Sequence, residues 1–468
     1  MMFLKLLILT LSVVVQVFSD KITFKNVEIS LYSHNRFLAT KNVINNNNLV
    51  VVLNQFDRPY DVVKIKGQNI PVLYKNSFSH IHLHDLTIDD CDLEKIEIGA
   101  FDNVQKLIYL TITNTKLTEL ERGVFYGLPL FSLNLQSNGI KNVENGAFQG
   151  MDSLKKISLG VNDIRIIKNG IFTNLSTLEE LDLSENEIEE IENDSFKNMK
   201  NLSVLTLEDN KIEKLQNGIF DTLSKLRLLN LGLNNIGEIE NYVFNDLENL
   251  EILWLQKNKL KTLEKDAFVG LIKLKQLYLS YNEIDTLEPG CFVGLNLLTE
   301  LHLNNNRIKM VVKGVFNLPS LNVLWLNDNE ISVTEIGAFG VSEMRELDLG
   351  SNNLRHLKRH AFSNLSLKWL YLHLNNLETI EDSTFENSKI TNINLRNNSL
   401  TNLSKNVFKN ADVSFIYIGN NDAFDKSTLK KVSNPSPSEI HSDELKLAQG
   451  GVMYLKHYKL AKNVFIDV

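Results

Sequence analysis

Cysteine is almost missing from this chain, with Cys91 and Cys291 the two in 468 residues. That excludes a disulfide-dense scaffold, and both are read as buried free thiols. Proline is scarce at seven residues, and no low-complexity tract is present, so linkers between separate domains have little sequence to occupy. After the first nineteen residues no stretch comes near the roughly 18 apolar residues of a membrane span, and the terminal KNVFIDV is no lipid-anchor signal. The expectation is a chain without membrane insertion. Basic charge is deficient: 49 Lys and Arg stand against 57 Asp and Glu, a formal net charge of −8. Such a surface does not gather polyanions, so nucleic acid is not expected as a partner. No nucleophile elbow, phosphate loop, zinc-protease helix or paired acids stand out, so no enzyme, metal or cofactor is expected.

What is abundant is repetition. An asparagine returns every 23 or 24 residues from Asn138 to Asn421, in the frame LxxLxLxxNxI/L, with Thr115, Cys91 and Gln68 in the same slot further upstream. A phenylalanine column lies ten residues behind it, from Phe78 to Phe408. Self-similarity at this period marks a solenoid, in which each unit buries its apolar face against its neighbours. In the unit beginning at Leu178, Leu181 and Leu183 alternate with Glu180, Asp182 and Ser184, which predicts a short half-buried strand. Asn186 follows, able to satisfy turn backbone with both donor and acceptor, and Phe196 fills the far side.

The first nineteen residues carry one early lysine, an apolar core and Ser19 before Asp20, which reads as a secretory signal cleaved near Ser19. Removing Lys5 with it leaves 48 basic against 57 acidic residues, a net charge of −9. The expected organisation is a signal peptide at 1–19, an N-terminal cap at 20–59, the solenoid at 60–424 and a C-terminal cap at 425–468. The first cap reads as short strands around an Asn45–Asn48 turn. The second reads as a break, a short helix over DELKLAQ and a strand-like GVMYLKHYKL. Six sequons, Asn174, Asn193, Asn201, Asn364, Asn397 and Asn402, fit an exported glycoprotein.

The repeat frame resembles the typical class of extracellular leucine-rich repeat, over about sixteen units. That family includes Toll-type receptor ectodomains, Slit-like guidance proteins, insect adhesion proteins and the leucine-rich immune proteins of insects. The resemblance implies an α/β leucine-rich repeat solenoid: a curved horseshoe with a parallel sheet on the concave face and irregular or short helical segments on the convex side. The chain departs from many secreted members in lacking cysteine-rich caps. The resemblance implies a secreted, extracellular, non-catalytic binder of a protein ligand, in innate immunity or host defence or as a receptor-like decoy. A homo- or heterodimer is compatible with it. The alternative is an extracellular matrix or cell-adhesion protein.

The outward strand positions are the third, fifth and seventh letters of each unit. The fifth letters are small and polar from Lys64 to Asn230, then include Trp254, Tyr278, His302, Trp325, Tyr371 and Tyr417, with Asp348 and Asn394 among them. Trp369, Tyr281 and His373 fall in the same region, so all three tryptophans are expected on the open face. These nine residues are the candidate ligand-binding set, because clustered Trp and Tyr serve as binding anchors. The earlier half of the face carries Asp85, Asp89, Asp90, Glu180, Asp182, Glu185, Glu208 and Asp209, read as a solvated acidic surface. His80, His82 and His84 are read as structural or exposed rather than as metal ligands, and His356 and His360 sit among cations.

Overall fold

The computed structural model of the chain describes residues 24–25, 27–33, 36–43, 61–79, 82–104, 106–340, 343–404, 406–425, 447–448, 452–453 and 465–467. The leader at 1–19, the Asn45–Asn48 turn, His80 and most of the 425–468 segment lie outside them. The chain divides into two compact units, Met1–Lys211 with Gly218–Leu226, and Ile212–Asn217 with Arg227–Val468.

In the first unit seven strands lie parallel, from Val62–Lys66 to Val204–Thr206. In the second, nine run from Leu228–Asn230 to Asp412–Tyr417. Each repeat contributes one strand, because LxLxL alternation gives one apolar and one polar side at a period of two. Leu181 and Leu183 are buried, while Glu180 and Asp182 are half-exposed. The fifth-letter residues pair directly across strands, as in Ser158 beside Asp182 beside Thr206.

The asparagines bind successive repeats together. Asn186 Oδ1 accepts the Ile164 N–H of the preceding repeat at 3.1 Å. Its Nδ2 donates to the carbonyls of Leu159, Leu183 and Ser184 at 2.9, 3.1 and 3.1 Å. The substitutes in this slot do part of the same work. Cys91 Sγ accepts the Gln68 N–H at 3.5 Å, and Gln68 Oε1 accepts the Glu28 N–H at 3.0 Å. Behind the sheet, phenylalanines stack repeat on repeat: Phe244, Phe268 and Phe292 lie 6.3 and 6.0 Å apart, centroid to centroid, with nearly parallel rings.

Sequence left the return segments as irregular or short helical. Among the described residues there is no helix: the returns are chains of tight turns. Around Phe148, Ala147 N–H bonds Glu144 O and Gln149 N–H bonds Gly146 O, three residues back. Gly146 and Gly150 have φ of 86° and 76°, so a right-handed helix is interrupted within one turn. The helix expected over DELKLAQ is also corrected where the chain is described. Leu447–Ala448 is a strand, paired antiparallel with Val452–Met453.

The strand Val27–Ser33 pairs antiparallel with Arg36–Val43 on one side and Val62–Lys66 on the other, covering the edge of the first unit's sheet. Phe24 meets Phe78 edge-on at 5.6 Å and so extends the phenylalanine column. In the second unit Phe465–Asp467 pairs parallel with Asp412–Tyr417.

Both thiols are free and buried. Burial pushes the Cys291 thiol up to about 12, and burial also raises Cys91. The thiolate is the reactive form, so both should resist modification in the folded chain. Native protein treated with a thiol-specific disulfide reagent at pH 8 is expected to release no chromophore, and two equivalents after denaturation. Rapid stoichiometric reaction of the native chain would contradict the burial described.

Candidate functional site

The second unit carries a lateral row on the open face of its sheet. Strand pairing sets Trp254, Tyr278, His302, Trp325, Asp348, Tyr371, Asn394 and Tyr417 side by side in one column. Trp254 contacts Tyr278 at 6.1 Å, Tyr278 contacts His302 at 4.5 Å, and His302 meets Trp325 edge-on at 4.3 Å. Further along, Trp369 stacks on Tyr371 at 5.3 Å and on Tyr417 at 5.9 Å, and Tyr371 meets His373 at 5.9 Å. The three indoles are half-buried on this face rather than enclosed in the leucine core. Aromatic residues suit such pleated, half-covered positions and pack across strands.

Two of the nine candidate residues are placed differently from the rest. His302 is not open to solvent: held between Tyr278 and Trp325, it is 7% exposed. Burial lowers its pKa, opposed by Glu300, whose Oε2 lies 3.7 Å from Nε2. Tyr281 stands outside the row at the strand exit, 54% exposed and with φ of 57°.

Four buried polar atoms on this face find no hydrogen-bond partner among the described residues: Gln256 Oε1, His302 Nε2, Trp325 Nε1 and His373 Nδ1. Gln256 and His373 owe their positions to glycine in the neighbouring repeat. A Cβ at Gly232 would collide with the Gln256 amide, and one at Gly350 with the His373 ring. Sequence reasoning passed over Gln256, Glu300 and Glu346 and gave Asp348 no role. The signal lay in the third- and seventh-letter columns beside the aromatic fifth.

On the acidic face of the first unit, Asp89, Glu180 and Asp182 are internally matched. Asp89 accepts from Lys66 at 2.9 Å, Thr113 at 3.0 Å and Asn114 at 2.8 Å, and the Asn114 bond leads in holding its carboxyl below the usual range. Asp182 accepts from Ser158, Gln136 and Ser184, and Glu180 pairs with Lys156 at 2.7 Å. Glu185 and Asp209 are exposed. His84 packs against Tyr109 at 5.7 Å, which in turn meets Phe131 at 6.1 Å, a small aromatic cluster the sequence reading missed. His82 is exposed.

Of the six sequons, Asn174, Asn193, Asn364, Asn397 and Asn402 are exposed. Asn201 is half-buried, its Nδ2 donating to Ser176 O at 2.7 Å and its Oδ1 accepting from Lys225 at 2.6 Å.

Two family models match the chain. The leucine rich repeat model matches residues 248–308 and 319–377, and the BspA type leucine rich repeat region matches 71–186 and 141–256. No curated protein matches the sequence. Among solved structures the fold is similar to Toll in the Drosophila Toll–Spatzle complex, with TM-score 0.59, 20% identity, and coverage of 72% of this chain and 50% of that one. The chain thus spans about half the length of that Toll chain. It is also similar to the APL1 leucine-rich repeat domain, with TM-score 0.53, 20% identity, and 77% and 90% coverage. A third match is the TLR13–ssRNA13 complex, with TM-score 0.50, 22% identity, and 76% and 67% coverage. At such identities the likeness speaks for the fold alone. Repeat frame, asparagine ladder and family models agree: the chain is a leucine-rich repeat protein.

Proposed function

We propose that this chain is a secreted, non-catalytic scaffold that docks an extracellular protein on the open sheet face of its second unit, in innate immunity or host defence. The observation that carries the docking site is the aromatic row from Trp254 to Tyr417, whose indole and phenol rings are half-exposed on the open sheet face. Trp and Tyr are among the residues most enriched at binding anchors. The immune setting draws support from Toll, whose solved complex with Spatzle belongs to development and innate immunity. Leucine-rich repeat scaffolds serve many ligands, so the site carries more weight here than the fold.

The test is capture from extracellular fluid by immobilised protein, comparing wild type with a Trp254→Ala, Trp325→Ala, Trp369→Ala variant whose melting is checked alongside. Loss of a specifically retained protein at least tenfold is expected, with the fold kept. Undiminished capture by a folded triple variant would remove the face from the account and favour the adhesion alternative through other surfaces.

A further inference from the structure

At the centre of the aromatic row the charges are unlike those elsewhere on the sheet. Strand register sets Glu300, Val323, Glu346 and Trp369 in the third-letter column, directly alongside His302, Trp325, Asp348 and Tyr371 in the fifth. Three carboxylates are therefore interleaved with three aromatic rings over four adjacent strands, on the order of 14 Å across at usual strand spacing. Val323, between the two glutamates, is buried and gives the patch an apolar floor.

Among the described residues these acids lack the close cations that Glu180 and Glu251 possess. Glu180 has Lys156 at 2.7 Å, and Glu251 has Arg227 at 2.8 Å and Lys275 at 2.7 Å. Around the central patch, Glu346 has among the described residues Arg345 at 3.8 Å, a side chain 56% exposed and beyond hydrogen-bond reach. Glu300 has His302 at 3.7 Å, an imidazole that burial keeps toward its neutral form. Asp348 accepts from the Gly350 N–H at 2.8 Å, and its carboxyl is raised mainly by burial, opposed by that bond and by nearby His373. Glu300 and Glu346 remain 34% and 21% exposed, so an incoming group can reach them.

Two further observations point to an occupant. His302 is more than nine-tenths buried, and its Nε2, with Glu300 Oε2 at 3.7 Å, makes no hydrogen bond among the described residues; the neighbouring Trp325 Nε1 is likewise buried without one. Half-exposed acids without close cations, set among aromatic faces, suit a basic side chain of a peptide. The chain also displays the contact itself: the Arg396 guanidinium lies over the Tyr417 ring at 5.2 Å, at the end of the same row.

We propose that Glu300, Glu346 and Asp348, walled by Trp325, Trp369 and Tyr371, form a subsite for a basic side chain, foremost arginine, of the docked protein. The guanidinium lies flat on an indole or phenol and directs its N–H groups to the flanking carboxylates, combining cation–π attraction with charge-assisted hydrogen bonds. Arginine is favoured over lysine because its planar fork can stack and bond at once. The subsite rests on the docking face proposed above and specifies the chemistry it selects.

All three tryptophans of the chain lie on this unit's sheet face, so intrinsic fluorescence reads the patch directly. The probes are three hexapeptides, (Arg-Gly)3, (citrulline-Gly)3 and (Glu-Gly)3; citrulline keeps the shape of arginine without its charge. The arginine peptide is expected to change the fluorescence saturably, with citrulline at least tenfold weaker and the glutamate peptide inert. A Glu300→Gln, Glu346→Gln, Asp348→Asn variant is expected to lose at least tenfold in arginine-peptide affinity, while Glu180→Gln on the first unit changes nothing. Equal binding of arginine and citrulline peptides, no binding of either, or unchanged affinity in the triple carboxamide variant overturns the subsite. If that variant still captures the protein partner while the Trp→Ala variant does not, the docking face stands and the basic-side-chain subsite falls. Failure of the Trp→Ala variant to alter capture removes the face itself.

Discussion

Phe268→Ala is expected to lower the stability of the second unit by about 3–5 kcal/mol, the usual cost of removing a fully buried aromatic ring. The ring lies between Phe244 and Phe292, at 6.3 and 6.0 Å, and is buried. Transfer of the side chain alone accounts for about 1.5–3 kcal/mol. Lost stacking on the two neighbours and the cavity left behind supply the rest. Closure of that cavity is resisted because the adjoining rings are fixed by their own repeats, so collapse cannot be local to one side chain. Phe268→Leu, which refills most of the volume, should cost well under half as much. Because a solenoid's stability is a sum of neighbour terms, the loss should concentrate around residues 244–292. Hydrogen exchange should therefore accelerate there while the first unit keeps its protection. Unchanged exchange and an unchanged melt would show that the phenylalanine column does not hold the returns together.

How far the sequence disclosed this molecule depends on whether a feature is periodic. Leu181, Leu183, Asn186 and Phe196 announce strand, turn and core because each recurs at a fixed offset. The strand register follows as well, since Trp254, Tyr278 and His302 are neighbours in space simply by sharing a letter of the repeat. The returns were less legible. Whether they would be helical turned on backbone handedness at residues such as Gly146, Gly150 and Asn174, and Asn174 takes φ of 69° without a glycine to advertise it. Another left-handed residue precedes the ladder asparagine in many repeats, and it is as varied as Val161, Glu185, Leu233 and Tyr281. Tertiary packing imposes that conformation, so composition carries little trace of it. At the candidate site the aromatic row was readable from one column. The orphaned atoms and uncompensated acids were not, because they depend on lateral pairing between columns. His302 shows the limit best: its letter said outward, yet the rings of Tyr278 and Trp325 on either side enclose it.

Asn186 offers a sharper examination of the ladder than of any single ring. Substitution by alanine should cost about 1–3 kcal/mol, the usual cost of a buried group left unpaired: it strands the Ile164 N–H, while Leu159 O, Leu183 O and Ser184 O each lose one donor and keep another, from Asn162 Nδ2, Asn210 Nδ2 and the Val161 N–H. Aspartate, nearly the same shape, separates the two halves of the role. Its carboxylate can still accept from Ile164 but cannot donate, and it places negative charge against three carbonyl oxygens. At neutral pH Asn186→Asp should therefore be at least as damaging as alanine. Burial and those carbonyls raise its folded-state pKa above the unfolded value, so the folded state takes up a proton more readily. The stability deficit should then shrink as pH falls from 7 toward 4, because protonation restores a donor and removes the charge. Asn186→Ala has no such group, and its deficit should not follow that course. Asn186→Cys should fall between wild type and alanine, since Cys91 in the same slot accepts the Gln68 N–H and lies 3.3 Å from Asp89 O. Denaturant melts of the three variants at pH 7 and pH 4 check the ordering. An aspartate variant as stable as wild type at pH 7 would mean that the side chain accepts but need not donate, the second donor to each carbonyl being enough.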